Sequence, residues 1–332
     1  MKTDTKTLSE EALKRGIKIN YIEKFQRDID FMEFSFKNHF EYIRGERSSK
    51  TSCIASYTLE DKAQTKYLLS RRKISVATGK LFHKSKVREV YKFIKEIGYP
   101  LVIKINDGAH GNFVFIGINN KKDCEKSIAC ILKKNNYFLV EKEFKGMEFR
   151  FLATTKKVLA VAYRNPAYIT GDGIHNIKEL IKIKNSYQIR GEFHKFFLTK
   201  IKIDNIIKQN LIEQKMKLDH IPNKGEKVYL RKGSNISTGG DSDVTDQVHP
   251  ELKKIAVKAV RAIPGLAYAG VDLMTNKDIS KKPTKSSYII IELNSSPGLR
   301  MHHFPVIGKP RNVAKGIIDI LFPETKGKYV GE

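Results

Sequence analysis

The chain has few cysteines and no long apolar stretch, and both shortages exclude classes of protein. Its 332 residues include three cysteines, Cys53, Cys124 and Cys130. An odd number without a Cys-x-x-Cys pair indicates free thiols in a reducing compartment rather than a disulfide framework. No apolar run approaches the ~18–20 residues that a membrane span needs, and the polar first residues lack the apolar core of a signal peptide. We therefore expect a cytoplasmic protein that does not associate with membranes.

Acidic residues are also scarce relative to basic ones. The chain has 62 Lys and Arg against 36 Asp and Glu, a formal net charge of +26. Three explanations compete: a nucleic-acid-binding face, attraction of anionic small molecules such as ATP and carboxylates, or lysines spread over a solvated surface without a specific role. The lysines form only short clusters, and no zinc-finger spacing, homeodomain-like helix or aromatic RNA-binding motif is present. We do not expect a nucleic acid partner, but the charge itself leaves all three explanations open.

The length allows two or three packed units, and the patterns mix helices with strands. Residues 1–50 have a helical pattern of polar and apolar positions. Residues 148–153 and 158–163 flank a polar turn and predict a β-hairpin. Residues 250–263 repeat apolar side chains on one helical face. Mixed elements with hairpins predict an α+β fold.

Two neighbouring acidic strands near the C-terminus carry the strongest chemical signal. Asp272 lies in one apolar segment, and Glu292 and Asn294 lie in the next. Residues i and i+2 of a strand share a face, so Glu292 and Asn294 project together. Ile291 and Leu293 are expected to face the core, and an antiparallel partner strand places Asp272 beside the other two polar side chains. Two carboxylates and an amide oxygen suit Mg²⁺; the alternative is a pair of solvated edge strands with incidental acids.

A lysine followed by a glycine-containing loop is the second signal. Lys104 lies on an apolar strand that runs directly into Asn106, Gly108 and Gly111. Such a loop lets backbone N–H groups approach phosphate oxygens. The segment matches neither the P-loop nor the Gly-x-Gly-x-x-Gly motif, so a plain hairpin turn with an edge lysine remains the alternative.

Three further segments combine groups that bind nucleotides or anions, although each alone also fits a surface turn. Residues 141–148 offer a strand edge for an adenine and a carboxylate for a ribose. Residues 229–241 combine Arg, Asn, Ser, Thr and a Gly-Gly pair on one flexible loop. In residues 297–305, Arg300 can hold a carboxylate, and a pair of histidines is a weaker candidate for metal binding.

In this order along the chain, the segments resemble the ATP-grasp superfamily. They are most similar to the ATP-grasp portion of cyanophycin synthetase and to the glutathione-synthetase half of the bifunctional bacterial glutathione enzyme, over residues 55–323. The segments that carry the resemblance are DKAQTKYLLSRRKI (61–74), YPLVIKINDGAHG (99–111), LVEKEFKGMEFRFL (139–152), RNPAYITGDGIHNIKELI (164–181), VYLRKGSNISTGGDSDVTDQVHP (228–250), AGVDLM (269–274) and the stretch 290–323.

The resemblance implies an ATP-grasp fold of the α+β class, in which two α+β subdomains clasp ATP. It places a small subdomain with a phosphate-covering loop at 55–140 and a C-terminal subdomain with adenine, metal and substrate sites at 141–323. A tail follows at 324–332. Residues 1–54 match nothing in the family, and their pattern predicts a helical segment without an assigned role.

The resemblance also implies roles for individual residues. Lys62 and Lys104 would contact ATP phosphates, and the loop 106–112 would close over those phosphates. The backbone of 141–144 would hold the adenine. The implied ATP-binding residues are Lys62, Lys104, Asn106, Gly108, Gly111, Glu141, Lys142, Phe144 and Glu148, the last for the ribose. The implied metal ligands are Asp272, Glu292 and Asn294. Arg231 and Asn235 would hold the acyl phosphate and nucleotide, and weaker substrate contacts fall on Ser237, Thr238, Gly239 and Arg300.

The implied activity is ATP-dependent ligation of a carboxylate to an amine. A carboxylate attacks the γ-phosphate, and an amine then displaces phosphate from the acyl phosphate, with two Mg²⁺ ions, replaceable by Mn²⁺, as cofactors. The donor is expected to be an amino acid or short peptide, and family habit suggests a homodimer. Glutathione synthetase is the narrower alternative, and a nucleic-acid-associated protein with a regulatory ATP site is the alternative of another class.

One position departs from a neighbouring branch of the superfamily. The D-alanine ligase branch has an arginine two residues before the metal-binding aspartate, and this chain has Gly270 there. Another group must then stabilise the oxyanion, and Arg231 is the candidate.

Overall fold

A computed structural model describes residues 3–22, 31–108, 112–187, 190–191, 198–231 and 240–330. The helices are α1 (Thr3–Lys14), α2 (Cys53–Glu60), α3 (Lys62–Arg71), α4 (Val87–Ile97), α5 (Lys121–Leu132), α6 (Ile177–Asn185), α7 (Asn205–Glu213), α8 (Pro250–Arg261), α9 (Arg300–His303) and α10 (Val313–Leu321). Within the described ranges, none of them has the length and apolar character to cross a membrane.

The strands belong to three larger sheets and two short pairs. They are β1 (Lys18–Tyr21), β2 (Phe31–Phe36), β3 (His39–Arg44), β4 (Arg47–Ser48), β5 (Gly79–His83), β6 (Leu101–Ile105), β7 (Val114–Ile118), β8 (Tyr137–Lys142), β9 (Met147–Thr154), β10 (Val158–Asn165), β11 (Tyr168–Thr170), β12 (Arg190–Gly191), β13 (Leu198–Thr199), β14 (Lys227–Tyr229), β15 (Gly240–Asp243), β16 (Tyr268–Thr275) and β17 (Tyr288–Asn294).

Each larger sheet is antiparallel. The N-terminal sheet has the order β1-β2-β3-β4, the small sheet β5-β8-β6-β7 and the central sheet β15-β10-β9-β16-β17. The predicted hairpin is confirmed as β9 and β10, and the predicted helix near 250–263 is confirmed as α8. The central sheet joins strands from both sides of α8, so residues distant in the chain meet on it.

The central sheet is covered on both faces by apolar layers. On one face, α2, α3 and α8 pack against buried side chains that include Phe151 and Val271. On the other face, α1, α10 and the N-terminal sheet pack against Leu152 and Tyr268. Burial of this apolar surface is the main force that holds the layers together.

The N-terminal residues correct one prediction. Residues 1–54 were expected to be helical, but they contain α1 followed by the four strands of the N-terminal sheet. In β2 the alternate residues Met32 and Phe34 are fully buried, which is the period of a strand. The boundary at 54/55 also falls inside α2, which begins at Cys53.

A bulge in β17 corrects a second prediction. Asp272 pairs with Glu292, but the next pair toward the start of β17 skips Ile291. The bulge resets the alternation of the strand, so Ile290 and Leu293 are buried and Ile291 is only half-buried. The expectation that Ile291 faces the core was therefore wrong.

A buried ion pair fixes α1 to α10. The Arg15 guanidinium donates to Glu11 at 2.7 Å and to Asp319 of α10 at 2.8 Å, and its side chain is fully buried. Asn312 also donates to Glu11, at 2.9 Å. The N-terminal unit is thus joined to the rest of the protein by charge as well as by apolar packing.

We predict that Arg15→Ala lowers the free energy of unfolding by about 3 kcal/mol, because it leaves buried carboxylates without their cation. Lys14→Ala is the matched control, since Lys14 is an exposed cation on the same helix, and we expect a change within about 0.5 kcal/mol. Urea unfolding measures both values. Equal stabilities of the two variants would contradict the structural importance of the pair.

Candidate active site

Two lysines share one buried carboxylate on the small sheet. Lys104 of β6 lies 3.0 Å from Glu141 of β8, and Lys66 of α3 pairs with the other oxygen of that carboxylate. All three side chains are nearly inaccessible to solvent. Burial lowers the pKa of Lys66 to about 8, whereas the two lysines overcome the effect of burial and lower the pKa of Glu141. With both lysines protonated, one positive charge is uncompensated, which favours binding of an anion.

Lys62 connects this lysine cluster with the acidic strands. It is the first residue of α3, which is capped by Asp61, and its ammonium group donates to the carbonyl of Gly108. Burial lowers the pKa of Lys62, and the nearby Glu292 carboxylate opposes that effect more than any other charge. The predicted phosphate-binding lysines and a predicted metal ligand therefore lie around one site.

Asn106 has a structural contact at the start of α3. Its side-chain oxygen accepts the Ala63 N–H at 3.0 Å, and its carbonyl accepts the Lys62 N–H at 3.3 Å. A side chain at Gly108 would collide with Ile105. These contacts hold the beginning of the predicted phosphate loop against α3, and Gly111 lies outside the described residues.

Asp272 is the centre of a buried charge network on the central sheet. It pairs in register with Arg150 of β9 and Glu292 of β17. Arg150 donates to both carboxylate oxygens, one of them at 3.0 Å, and Arg164 of β10 lies 3.1 Å from the same carboxylate. Burial alone would raise the pKa of Asp272, but the two arginines lower it, so the carboxylate stays ionised.

Asn294 and Glu148 complete the network. The Asn294 amide nitrogen lies 3.3 Å from Asp272 and 3.4 Å from Glu292, so the three predicted metal ligands do converge. Glu148 accepts from Arg164 at 2.5 Å. Burial raises the pKa of Glu148 to about 7, although Arg164 acts in the opposite direction.

The residues around Asp272 fit a hard divalent cation. Rotation of the Asn294 amide would turn its oxygen toward the two carboxylates that its nitrogen now contacts, giving an all-oxygen donor set. Among the residues that the structure describes, no three His, Cys, Asp or Glu side chains cluster as a metal site. The candidate site therefore has two carboxylates and one amide, a set with few protein ligands, as is usual for Mg²⁺.

Gly270 makes room for an arginine from the neighbouring strand. A Cβ atom at this position would lie 2.6 Å from a terminal nitrogen of Arg150. The same nitrogen donates to the Pro297 carbonyl at 2.7 Å. Arg150 of β9 therefore fills the space that a side chain at position 270 would need. Arg231, the sequence-based candidate for the oxyanion contact, donates to Asp204 at 2.6 Å.

Three charged residues of the site were missed by sequence reasoning. Lys66 lies four residues after Lys62 on the same helical face, and that spacing could have indicated it. Arg150 and Arg164 interrupt apolar strands in the way that drew attention to Lys104. Their partner, Asp272, is 122 residues from Arg150 in the chain, and only the strand order brings them together.

The remaining predicted residues lie at the rims of the site or beyond the described ranges. The Lys142 and Glu143 N–H groups donate to the carbonyls of Thr78 and Pro100, so an adenine would use other backbone groups near Phe144. The Arg300 N–H donates to Asp4 at 2.6 Å. Asn235, Ser237, Thr238 and Gly239 fall outside the described residues.

Comparison with known proteins identifies the class. Residues 225–321 match the family model of the RimK-like ATP-grasp domain. The chain is 33% identical over 325 residues to the bifunctional glutathione biosynthesis protein GshAB of Clostridium perfringens, covering 97% of this chain and 41% of that protein. It is 38% identical over 286 residues to cyanophycin synthetase of Geminocystis herdmanii, covering 85% of this chain and 32% of that protein.

A solved structure supports the same class. The bifunctional glutathione synthetase of Pasteurella multocida matches with a TM-score of 0.72 and 31% identity, over 98% of this chain and 44% of that one. The chain therefore resembles the ATP-grasp superfamily over nearly its whole length, and the RimK-like ATP-grasp domain model matches its C-terminal part. The predicted ATP-grasp fold of the α+β class is confirmed. The chain spans less than half the length of these relatives.

We predict that Glu141→Gln destabilises the nucleotide-free protein by about 3–5 kcal/mol, because two buried ammonium groups then lack their counter-charge. Mg-ATP should stabilise this variant more than the wild type, since phosphates would supply the missing negative charge. Denaturant unfolding and melting temperatures with and without Mg-ATP measure the two effects.

Glu96→Gln serves as the control for this experiment, because Glu96 is an exposed residue of α4 in the same part of the chain. We expect it to change stability by less than about 0.5 kcal/mol. A Glu141→Gln protein with wild-type stability, or with a smaller response to Mg-ATP, would contradict the charge balance described above.

Proposed function

We propose that the protein is an ATP-dependent ligase that joins a carboxylate to an amine through an acyl phosphate, with release of ADP and phosphate. The observation that carries this proposal is that the lysine cluster of the small sheet, with its one uncompensated charge, meets the Asp272–Glu292 pair around Lys62. Cationic groups suit the phosphates of a nucleoside triphosphate, and anionic groups in the same site suit its metal ion. The relatives named for glutathione and cyanophycin synthesis support the same reaction class.

The nucleotide would lie between the small and central sheets. Lys62 and Lys104 would bind its phosphates. Lys66, which shares a carboxylate with Lys104, would add further positive charge to the site. The segment 141–144 would hold the adenine by its backbone. Glu148 would accept a ribose hydroxyl, since its carboxylate is held in place by Arg164.

Asp272, Glu292 and Asn294 would hold Mg²⁺, or Mn²⁺ in its place, and two ions are proposed. Bound there, the metal supplies charge neutralisation on the transferring phosphoryl group. Arg150 and Arg164 keep Asp272 ionised and oriented. Arg150 also donates to the Pro297 carbonyl, so the loop after β17 is held in position relative to the metal site.

The substrates are proposed from the relatives. The donor would be an amino acid or short peptide, and γ-glutamylcysteine with glycine is the narrower pair if the protein acts as glutathione synthetase. Arg231 and Asn235 would hold the acyl phosphate, and the segment 237–239 and Arg300 would contact the substrates. The homodimer and the lack of a nucleic acid partner remain predictions.

The proposal is tested by phosphate release from Mg-ATP with amino acids and short peptides, given singly and in pairs. We expect release that depends on a particular pair, together with an amide product whose mass identifies both substrates. The panel includes γ-glutamylcysteine with glycine. Tight ATP binding without release for any pair would refute the ligase assignment and favour a regulatory nucleotide site.

Glu292→Gln provides the matched variant for the same assay. It removes one charge from the metal pair while keeping the size of the side chain, so turnover should be lost and the melting temperature largely retained. Glu96→Gln, the exposed control, should turn over like the wild type. Wild-type turnover in Glu292→Gln would remove the metal assignment without removing the ligase assignment.

A further inference from the structure

The N-terminal sheet reaches the candidate active site through β4. The Arg47 Nε atom donates to the Ser295 hydroxyl at 2.7 Å, and the neighbouring Glu46 side chain accepts from Ser296. Ser295 directly follows Asn294, one of the three candidate metal ligands. The N-terminal sheet, which the sequence-based prediction of the site did not include, therefore places a cation beside the end of β17.

The other side of the Arg47 guanidinium faces the end of α2, directly before α3. One terminal nitrogen lies 3.4 Å from Glu60, which precedes Asp61 and Lys62. This distance is longer than the ~2.7–2.9 Å of a close charge-assisted hydrogen bond. Arg47 thus lies between the strand that ends in Asn294 and the helix that begins with Lys62, the two elements that bound the site.

Arg47 differs from the other arginines of the site in its exposure. The side chains of Arg150 and Arg164 are largely buried and are paired with Asp272 and Glu148. The Arg47 side chain is 41% exposed, and its Glu60 partner is 54% exposed. Because Ser295 holds one nitrogen, the guanidinium is oriented without being neutralised by a buried carboxylate.

A carboxylate is the chemical group that this arrangement suits. The planar guanidinium matches the two oxygens of a carboxylate, and an arginine already fixed at one nitrogen loses less conformational freedom on binding. An amino-acid or peptide acceptor keeps its carboxylate unreacted, and so does a donor that has a second carboxylate. Left unpaired in the closed site, that group would carry a desolvation cost.

We propose that Arg47 binds the non-reacting carboxylate of the amino-acid or peptide substrate and so makes the N-terminal sheet part of the substrate site. This assignment rests on the proposed ligase function. Glu60 competes for the same guanidinium in the absence of substrate. The 3.4 Å pair is exposed to solvent, and such pairs contribute little free energy, so a substrate carboxylate can replace it.

The test uses the substrate pair that the wild-type protein turns over. Each substrate that has a carboxylate outside the new amide bond is compared with its carboxamide analogue, in which only that carboxylate is replaced. The full-length variants are Arg47→Ala, Arg47→Lys and Arg44→Ala. Arg44 is the exposed cross-strand partner of Arg47 in the same hairpin, so its removal changes the net charge equally.

For Arg47→Ala we expect the KM of one acid substrate to rise about 10- to 100-fold, which corresponds to the loss of one charge-assisted contact. The KM of its carboxamide and of ATP should stay within about twofold of wild type, as should all values for Arg44→Ala. Arg47→Lys should lie between wild type and Arg47→Ala, since it keeps the charge but not the planar geometry. The substrate whose KM responds is the one that Arg47 binds.

An equal loss for the acid and its carboxamide would overturn the proposal, because it would mean that Arg47 only holds the loop at Ser295. Matching values for Arg47→Ala and Arg44→Ala would overturn it as well. The comparison of acid with amide is made within one variant, so a loss of stability cannot imitate the expected result. Failure of the wild type to turn over any pair is a separate readout, which would refute the proposed function and this role of Arg47 with it.

Discussion

Burial of the Asp272 carboxylate is the constraint on which the rest of the site depends. A charged group at the middle of a covered sheet is costly unless it is paired and hydrogen-bonded. Arg150 and Arg164 supply that pairing from the two strands beyond Asp272. They in turn determine where Glu148 and Pro297 lie. Gly270 belongs to the same arrangement, since any side chain there would displace Arg150.

The small sheet has an excess of buried positive charge. Lys66 and Lys104 share Glu141, and Lys62 lies within the electrostatic influence of Glu292. Excess positive charge on one side and a carboxylate pair on the other favour a ligand that carries both phosphates and a metal ion. The two halves are joined at α3, whose first residue contacts the loop after β6. The positive charge thus lies on the small sheet and the carboxylate pair on the central sheet, on opposite sides of the boundary between them.

Much of the site was predictable from local sequence, because charged residues stand out in apolar strands. Asp272, Glu292 and Lys104 were identified in that way, and antiparallel pairing does bring Asp272 opposite Glu292. The bulge at Ile291 was not predictable, because it depends on pairing with β16 rather than on the β17 sequence. Arg150 and Arg164 gave the same local signal, but their role depends on strand order in the sheet.

The structure of the N-terminal residues was less predictable from the sequence than the active site. The alternation in β2 is present in the sequence, but the polar and apolar positions of the whole segment predict helices. The contact between Arg47 and Ser295 spans 248 residues. No local pattern predicts such a contact, and it appears only when the N-terminal sheet packs beside the central one.

Isotope transfer tests the ligase chemistry most directly. The donor substrate is labelled with oxygen-18 in the carboxylate that forms the amide, and the inorganic phosphate is examined by mass spectrometry after turnover with Mg-ATP and the amine. An acyl phosphate intermediate requires one labelled oxygen to pass from the carboxylate to phosphate. Labelled phosphate formed together with the amide is the predicted result. Unlabelled phosphate, or label in AMP, would contradict the account.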